Sequence, residues 1–283
     1  MSAKAIAVAA VGVALAVSIA LGLTMRGRSE GARCGPGFAP IGARCVVDDI
    51  GVCPAPLATA SDGACGAPDE RVIVPDATLT IGPSDWEAEG LVGARTIRVA
   101  AFRIDAFEVT EGRYRGGARD AREAVRAASG MSPDEAAAFC TRTGGRLPTE
   151  DEWIVAAASP SGSARATPPS ASRYPWGETG AVCRRAAWGL LSGPCATGAD
   201  GPDTVGSHPD GDSRSGIHDL AGNVAEWVTS GPPGGGQGGG SPAIAKGGSW
   251  QSSLASELRT WARLELPPHA RDPRVGFRCA YSP

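Results

Sequence analysis

Residues 216–227 read GIHDLAGNVAEW, and the character of the fold depends on how this stretch is understood. Asp219 and Glu226 stand seven residues apart, with Gly222 and Asn223 between them. Glycines at 216 and 222 weaken any regular helix, because a residue without Cβ loses the most backbone freedom on ordering. The stretch therefore predicts a tight loop. Such a loop can aim two carboxylates and several carbonyls at one point, and hard cations such as Ca²⁺ take about six to eight oxygen ligands of this kind. A capped turn, whose acids satisfy nearby N–H groups, is the reading that local sequence favours. Both readings stay open.

The remainder of the chain sets the context. Its 283 residues can hold one large domain or two of ordinary size. Net charge is −3 with Lys and Arg thinly spread, so there is no basic footprint and no nucleic-acid partner is expected. Forty glycines and 23 prolines predict a loop-rich fold. Eight cysteines, an even number, read as disulfides formed outside a reducing cytosol.

The N-terminus points to the same compartment. Lys4 precedes 21 uncharged residues, Ala5 to Met25, followed by Arg26 and Arg28. As a helix the run would be about 31 Å long, close to the ~30 Å hydrocarbon core of a bilayer. Residues 1–28 are therefore expected to be a signal anchor, with the bulk of the chain periplasmic or otherwise extracytoplasmic. A signal peptide, cleaved to release a secreted protein, is the alternative. The arginines on the C-terminal side run against the positive-inside rule, and the cysteines are given more weight.

Residues 29–70 are punctuated by Cys34, Cys45, Cys53 and Cys65 and hold few large apolar side chains. Such a segment needs cross-links to fold, and it is expected to be a disulfide-bonded spacer. Pairing Cys34 with Cys45 and Cys53 with Cys65 is simplest, while sequence leaves the two other connectivities open. From Arg71 the texture changes. RVIVPDATLTIG reads as a strand ending at Gly82, and TIRVAAFRIDAFEVTEGRY alternates apolar and polar residues as one or two half-buried strands do. SPDEAAAFC opens with a capping box, Ser132 at the N-cap, Pro133 at N1 and Glu135 at N3, and RLPTEDEWIVAAA repeats it with Thr149 and Glu152. Two short helices are expected there. Residues 159–215 read as loop, with the Cys183–Cys195 interval closed by a disulfide. GPPGGGQGGGS at 231–241 reads as a solvent loop.

Taken in order, FRIDAFEVTEGRY, SPDEAAAFC, GGRLPTEDEW, YPWG, GIHDLAGNVAEW, KGGSW, LRTWAR and RVGFRCA resemble the formylglycine-generating enzyme family, the sulfatase-modifying-factor domain, across residues 71–283. The resemblance implies a single compact domain of α/β class (α+β, irregular and loop-rich) with a C-type-lectin-like fold. It implies a disulfide between Cys140 and Cys279, closing a loop of about 140 residues and worth about 4–5 kcal/mol in the chain-entropy model. It also implies a structural Ca²⁺ held by the side chains of Asp219 and Glu226 and the carbonyls of Gly222 and Val224. For a second Ca²⁺ site, Asp200 could supply the aspartate, but CRRAAWG lacks the side-chain oxygen that should accompany it.

One departure bears directly on function. Oxidising members of the family hold Cu(I) with two cysteines, five residues apart, shortly after GGSW. The corresponding positions here are Ser252 and Glu257. Hydroxyl and carboxylate are hard oxygen donors, whereas Cu(I) selects soft thiolates, so no copper cofactor is expected. The aromatic residue before the loop's glutamate is replaced by Ala225. The cleft candidates are Ser249, Trp250, Ser252, Glu257, Arg259 and Arg263, none with a confident catalytic role. Arg259 and Arg263 suit a structural ion pair and an acidic ligand equally. Among the histidines, His208, His218 and His269 lack metal-ligand spacing, and His218 reads as structural. The sequence thus predicts a membrane-tethered pseudoenzyme, a binding or accessory module for a protein or small-molecule ligand. Its alternatives are an enzyme of different protein- or metabolite-modifying chemistry on the same scaffold and, last, a formylglycine-generating oxidoreductase.

Overall fold

The computed structural model describes residues 34–42, 44–48, 52–60, 63–82, 94–117, 120–158, 168–231 and 241–283. The N-terminal apolar run and residues 232–240 of the glycine-rich segment lie outside these. Among the described residues no helix is long and apolar enough to cross a membrane.

RVIVPDATLTIG forms two strands. β5 (Arg71–Val74) and β6 (Ala77–Ile81) flank Pro75, which has no N–H to give a ladder. β6 pairs antiparallel with β7 (Arg95–Val99), bringing Leu79 opposite Ile97, both buried. β5 pairs with β8 (Phe102–Asp105), whose other edge receives β13 (Ala280–Tyr281). The alternating pattern continues beyond β8 through Phe107 and Val109, but those residues leave the ladder. The next residues, expected to stay extended, form helix α1 (Glu111–Arg115), capped by Thr110 at its start and by Gly116 at φ 71° at its end.

Both capping boxes form. In α3 (Pro133–Arg142) the Ser132 hydroxyl accepts from the Glu135 amide and Glu135 accepts from the Ser132 amide. In α4 (Glu150–Ala157) Thr149 and Glu152 do the same. Between α1 and α3 lies one further turn, α2 (Ala121–Ala124). A four-stranded sheet runs β11 (Leu264–Leu266), β10 (Ala243–Lys246), β9 (Ala225–Val228), β12 (Val275–Gly276). All four residues of β9 are buried, including Glu226.

Hydrophobic clusters join these elements. One surrounds Trp153 of α4 and includes Phe102, Ile104, Leu220 and Ile244. Another gathers Phe139, Trp227 and Phe277. Among the described residues, short strands separated by loops, with helices of ten residues or fewer, make a mixed, sheet-rich architecture of the α/β class that the resemblance implies, loop-rich as the composition predicts.

The described part of the segment expected to be a spacer packs against the family-like region. The described residues from Cys34 onward belong to one compact unit. Hairpin β1 (Phe38–Ile41)–β2 (Arg44–Val47) and the smaller ladder of β3 (Ala58–Thr59) with β4 (Cys65–Gly66) lie on it. Phe38, Val47 and Leu57 are buried in a cluster with Phe107, Val125 and Val205. These few apolar side chains suffice because they add to a surface already formed by the rest of the unit. The disulfides are Cys34–Cys45, Cys53–Cys65, Cys140–Cys279 and Cys183–Cys195, as the sequence reading and the resemblance proposed.

Candidate functional site

The GIHDLAGNVAEW stretch is a loop to Val224 and strand β9 thereafter. Asp219 and Asn223 have φ of 55° and 51°, left-handed conformations that Asp and Asn tolerate better than most residues. Gly222 has φ 83°, and a Cβ there would stand 2.5 Å from the Ala187 carbonyl oxygen, so this position requires glycine. The Asn223 amide donates to Ala187 and its carbonyl accepts from Trp250, at 2.7 and 2.8 Å. The loop is thereby tied to the KGGSW segment.

Four ionisable side chains meet beneath it. Glu226 accepts from Arg278 Nη2 at 2.7 Å on one oxygen, and from Arg278 Nε and Trp153 Nε1, both at 2.8 Å, on the other. Arg278 gives its remaining N–H groups to the carbonyls of Asp105, Ala106 and His218, at 2.7–3.1 Å. All five guanidinium donors are used. Burial works against the Arg278 cation, but Glu226 outweighs it and the group is held above its ordinary pKa. Glu108 accepts from Asn223 Nδ2 at 2.6 Å and from the Val224 amide at 3.1 Å. Burial, followed by the charges of Asp219 and Glu226, pushes its carboxyl well above the usual carboxylate range. Asp219 accepts from the Gly206 amide at 2.5 Å and is also raised, chiefly by burial.

Of the donors expected to hold Ca²⁺, Asp219 and Glu226 are thus in one buried neighbourhood, with Gly222 and Val224 on the connecting loop. Glu226 is engaged by a guanidinium. The carboxyl oxygens of Glu108, Asp219 and Glu226 are of the kind a hard ion takes. Asp200 lies on the surface paired with Arg44. Glu108 and Arg278 were not singled out in the sequence. Their signal is weak, because the Arg278–Glu226 contact spans 52 residues and the Glu108–Asn223 contact 115.

The cleft after GGSW is small. A cavity of about 80 Å³ is lined by Ala225, Ser249, Ser252, Glu257, Arg263 and Arg274, among others. Ser252 Oγ accepts from the Ser249 amide at 3.0 Å, and Ser249 Oγ accepts from the Gln251 amide at 3.3 Å. Glu257 accepts from the amides of Ser253 and Leu254, both at 2.9 Å, and so caps the 3₁₀ turn Ala255–Leu258. The two positions compared with the thiol pair are therefore committed to holding main-chain turns. Trp250 is buried, with its indole N–H directed at the Pro273 carbonyl, 3.4 Å away. Arg259 is buried and does not line the cavity.

Arg263 is half exposed, 3.3 Å from Glu150, and borders both the small cavity and an open trough of about 700 Å³ beside α4. The trough also contains Arg95, Asp151 and Trp261. Behind Glu150 lies Lys246, fully buried, its Nζ 3.3 Å from the carboxylate. Burial lowers the Lys246 pKa to about 8 against the pull of Glu150. His218 stacks on Phe107 with ring centroids 4.4 Å apart, in keeping with a structural imidazole.

The model of the sulfatase-modifying factor enzyme 1-like domain matches residues 58–283, starting earlier than the boundary at 71. The mouse (Mus musculus) inactive C-alpha-formylglycine-generating enzyme 2 is 32% identical over 159 residues, covering 54% of this chain and 48% of that protein. The formylglycine-generating enzyme of Thermomonospora curvata is 31% identical over 174 residues, 54% of each chain. The match thus spans about half the length of these relatives. Among solved structures, Treponema denticola variable protein 1 superposes with a TM-score of 0.58 at 19% identity, covering 75% of this chain and 95% of that one. That likeness concerns the fold, which is of the C-type-lectin-like kind.

Proposed function

The chain belongs to the sulfatase-modifying factor enzyme 1-like family, and from that premise we propose that it is a non-oxidising member, a binding or accessory module tethered to a membrane and working outside the cytoplasm. The observation that carries the reading is the commitment of Ser252 and Glu257 to main-chain amides in a cavity of about 80 Å³. Pockets for small ligands are ordinarily larger, roughly 300–1,000 Å³. Oxygen donors at these two positions suit neither Cu(I) nor a mixed disulfide with a substrate cysteine. Similarity to a relative named as inactive supports the same reading. Four disulfides favour an oxidising compartment, and the tether rests on the apolar run Ala5–Met25.

The alternative of another chemistry on this scaffold called for Ser252, Glu257 and Arg259 to converge in a deep pocket. Arg259 does not line the small cavity with Ser252 and Glu257, so the binding reading is preferred. The proposal includes a structural Ca²⁺ on the Asp219–Glu226 loop, where Glu108, Asp219 and Glu226 face one guanidinium. There the ion would supply positive charge and no redox chemistry. Its donors would be Asp219, the Gly222 and Val224 carbonyls, and Glu226 shared with Arg278.

The test of function is direct. The purified chain is incubated with a sulfatase-motif peptide, Cu(I) and O₂, and the peptide mass is followed. No conversion of cysteine to formylglycine is expected, and turnover would overturn the proposal.

A further inference from the structure

We propose that Cys45, Asp203 and His208 form a latent Zn²⁺ site, kept closed by the Cys34–Cys45 disulfide and opened when that bond is reduced. One ligand atom from each of the three residues lies within 4.8 Å of the others, and all three side chains are buried. They come from two separate segments, the β2 strand and the 203–208 loop, held together by main-chain bonds. Gly35 donates to the Ser207 carbonyl at 2.9 Å and Thr204 to the Cys45 carbonyl at 3.4 Å. The Asp203 carboxylate is already oriented. One oxygen accepts from the Cys45 amide at 3.0 Å, and the other faces His208 Nε2 at 3.1 Å.

Thiolate, imidazole and carboxylate are the three donor types that Zn²⁺ takes, at about 2.0–2.3 Å. Donors at such lengths around a tetrahedral ion stand roughly 3.3–3.8 Å apart, so a cluster already within 4.8 Å needs only small inward movements. In the oxidised chain the Cys45 sulfur is covalently bonded and carries no thiolate charge, and Asp203 and His208 serve each other as an internal pair. The spacing of these residues resembles no zinc motif. Cys45 is 158 positions from Asp203, so spacing along the chain gives no sign that the three meet.

The chemistry balances with a dithiol as reductant. The dithiol passes two electrons and two protons to Cys34–Cys45, becoming a cyclic disulfide, and leaves two protein thiols. Zn²⁺ then displaces the Cys45 thiol proton and the proton shared between His208 Nε2 and Asp203. The freed Cys34 thiol or a water completes four-coordination. The metal thereby replaces the lost covalent link by joining β2 directly to the 203–208 loop.

Cys34→Ser gives the cleanest test, since it frees Cys45 with no reductant and leaves the other three disulfides closed. The full chain carrying this change is titrated with Co²⁺, and competition by Zn²⁺ is measured. One equivalent is expected, with thiolate-to-cobalt charge-transfer absorption that Zn²⁺ abolishes. The oxidised wild type should show none, and C34S/H208Q should bind at least tenfold more weakly. If C34S does not fold, wild type reduced by a dithiol is compared with C45S treated identically. In either arm the proposal fails if no charge-transfer band appears. It also fails if the band is unchanged by loss of His208 or, in the second arm, of Cys45.

Discussion

Glu226 sits in a strand whose four residues are all buried, a position where a lone carboxylate costs several kcal/mol. Arg278 and Trp153 remove most of that penalty, and the five-donor saturation of Arg278 makes the pair specific as well as neutral. From the sequence Glu226 was legible as an important acid, but only as an ion ligand, because nothing local announces a partner in GFRCA. Glu108 and Asp219 have no such guanidinium of their own. Their folded pKa values are raised, so the native chain holds these protons more tightly than the unfolded chain. That contribution to stability is complete below the unfolded carboxylate range and is lost as pH rises through the folded values. A bound Ca²⁺ would reverse the electrostatic part of the loss. The melting temperature in chelator is therefore expected to fall from mildly acidic to mildly alkaline pH, with Ca²⁺ restoring it most at the alkaline end. Asp219→Asn, whose oxygen can still accept from Gly206, should flatten the slope and weaken the Ca²⁺ gain. Coincident curves with chelator and with Ca²⁺ would remove the ion from this loop.

Helices α3 and α4 were readable because a capping box is entirely local, with four residues naming both donor and acceptor. Helix α1 was missed for the converse reason. Its five residues contain no apolar periodicity, and Gly116 as a terminator is intelligible only once the helix is known. Strands β5 and β6 were read as one since both halves are apolar, although Pro75 marks the break. The caps permit a graded prediction. Ser132→Ala removes one side-chain acceptor and should cost about 1 kcal/mol, whereas Thr149→Ala acts at a more enclosed helix start and should approach about 2 kcal/mol. Glu152 remains held by Arg146 at 2.6 and 2.7 Å in that variant, so the helix should persist. Urea denaturation with unchanged m-values would bear this out, and a loss of only a few tenths at both sites would refute it.

Reading residues 29–70 as a spacer rests on the few apolar residues within them, whereas burial also depends on what a segment touches elsewhere in the compact unit. Phe38, Val47 and Leu57 are few, yet each is buried against surface supplied by Phe107, Val125 and Val205. Covalent and apolar contributions to this docking can be separated. Cys34→Ser with Cys45→Ser opens a loop of sequence separation 11 and should cost about 3 kcal/mol in the chain-entropy model. A chain beginning at residue 52 keeps Cys53–Cys65 but deletes hairpin β1–β2 together with its cross-link. It forfeits the same constraint without incurring its entropy, and it uncovers the Phe107–Val205 surface. Burial of a large apolar side chain is worth roughly 1.5–3 kcal/mol, so loss of Phe38 and Val47 should lower stability by about 3–6 kcal/mol. By contrast, opening Cys140–Cys279, with separation 139, should cost about 5 kcal/mol while leaving that surface covered. An apolar fluorescent dye distinguishes the cases: strong binding to the truncated chain, little to either disulfide variant under native conditions. If the truncated chain melts with the full one and binds no dye, hairpin β1–β2 is a passenger on the rest of the unit.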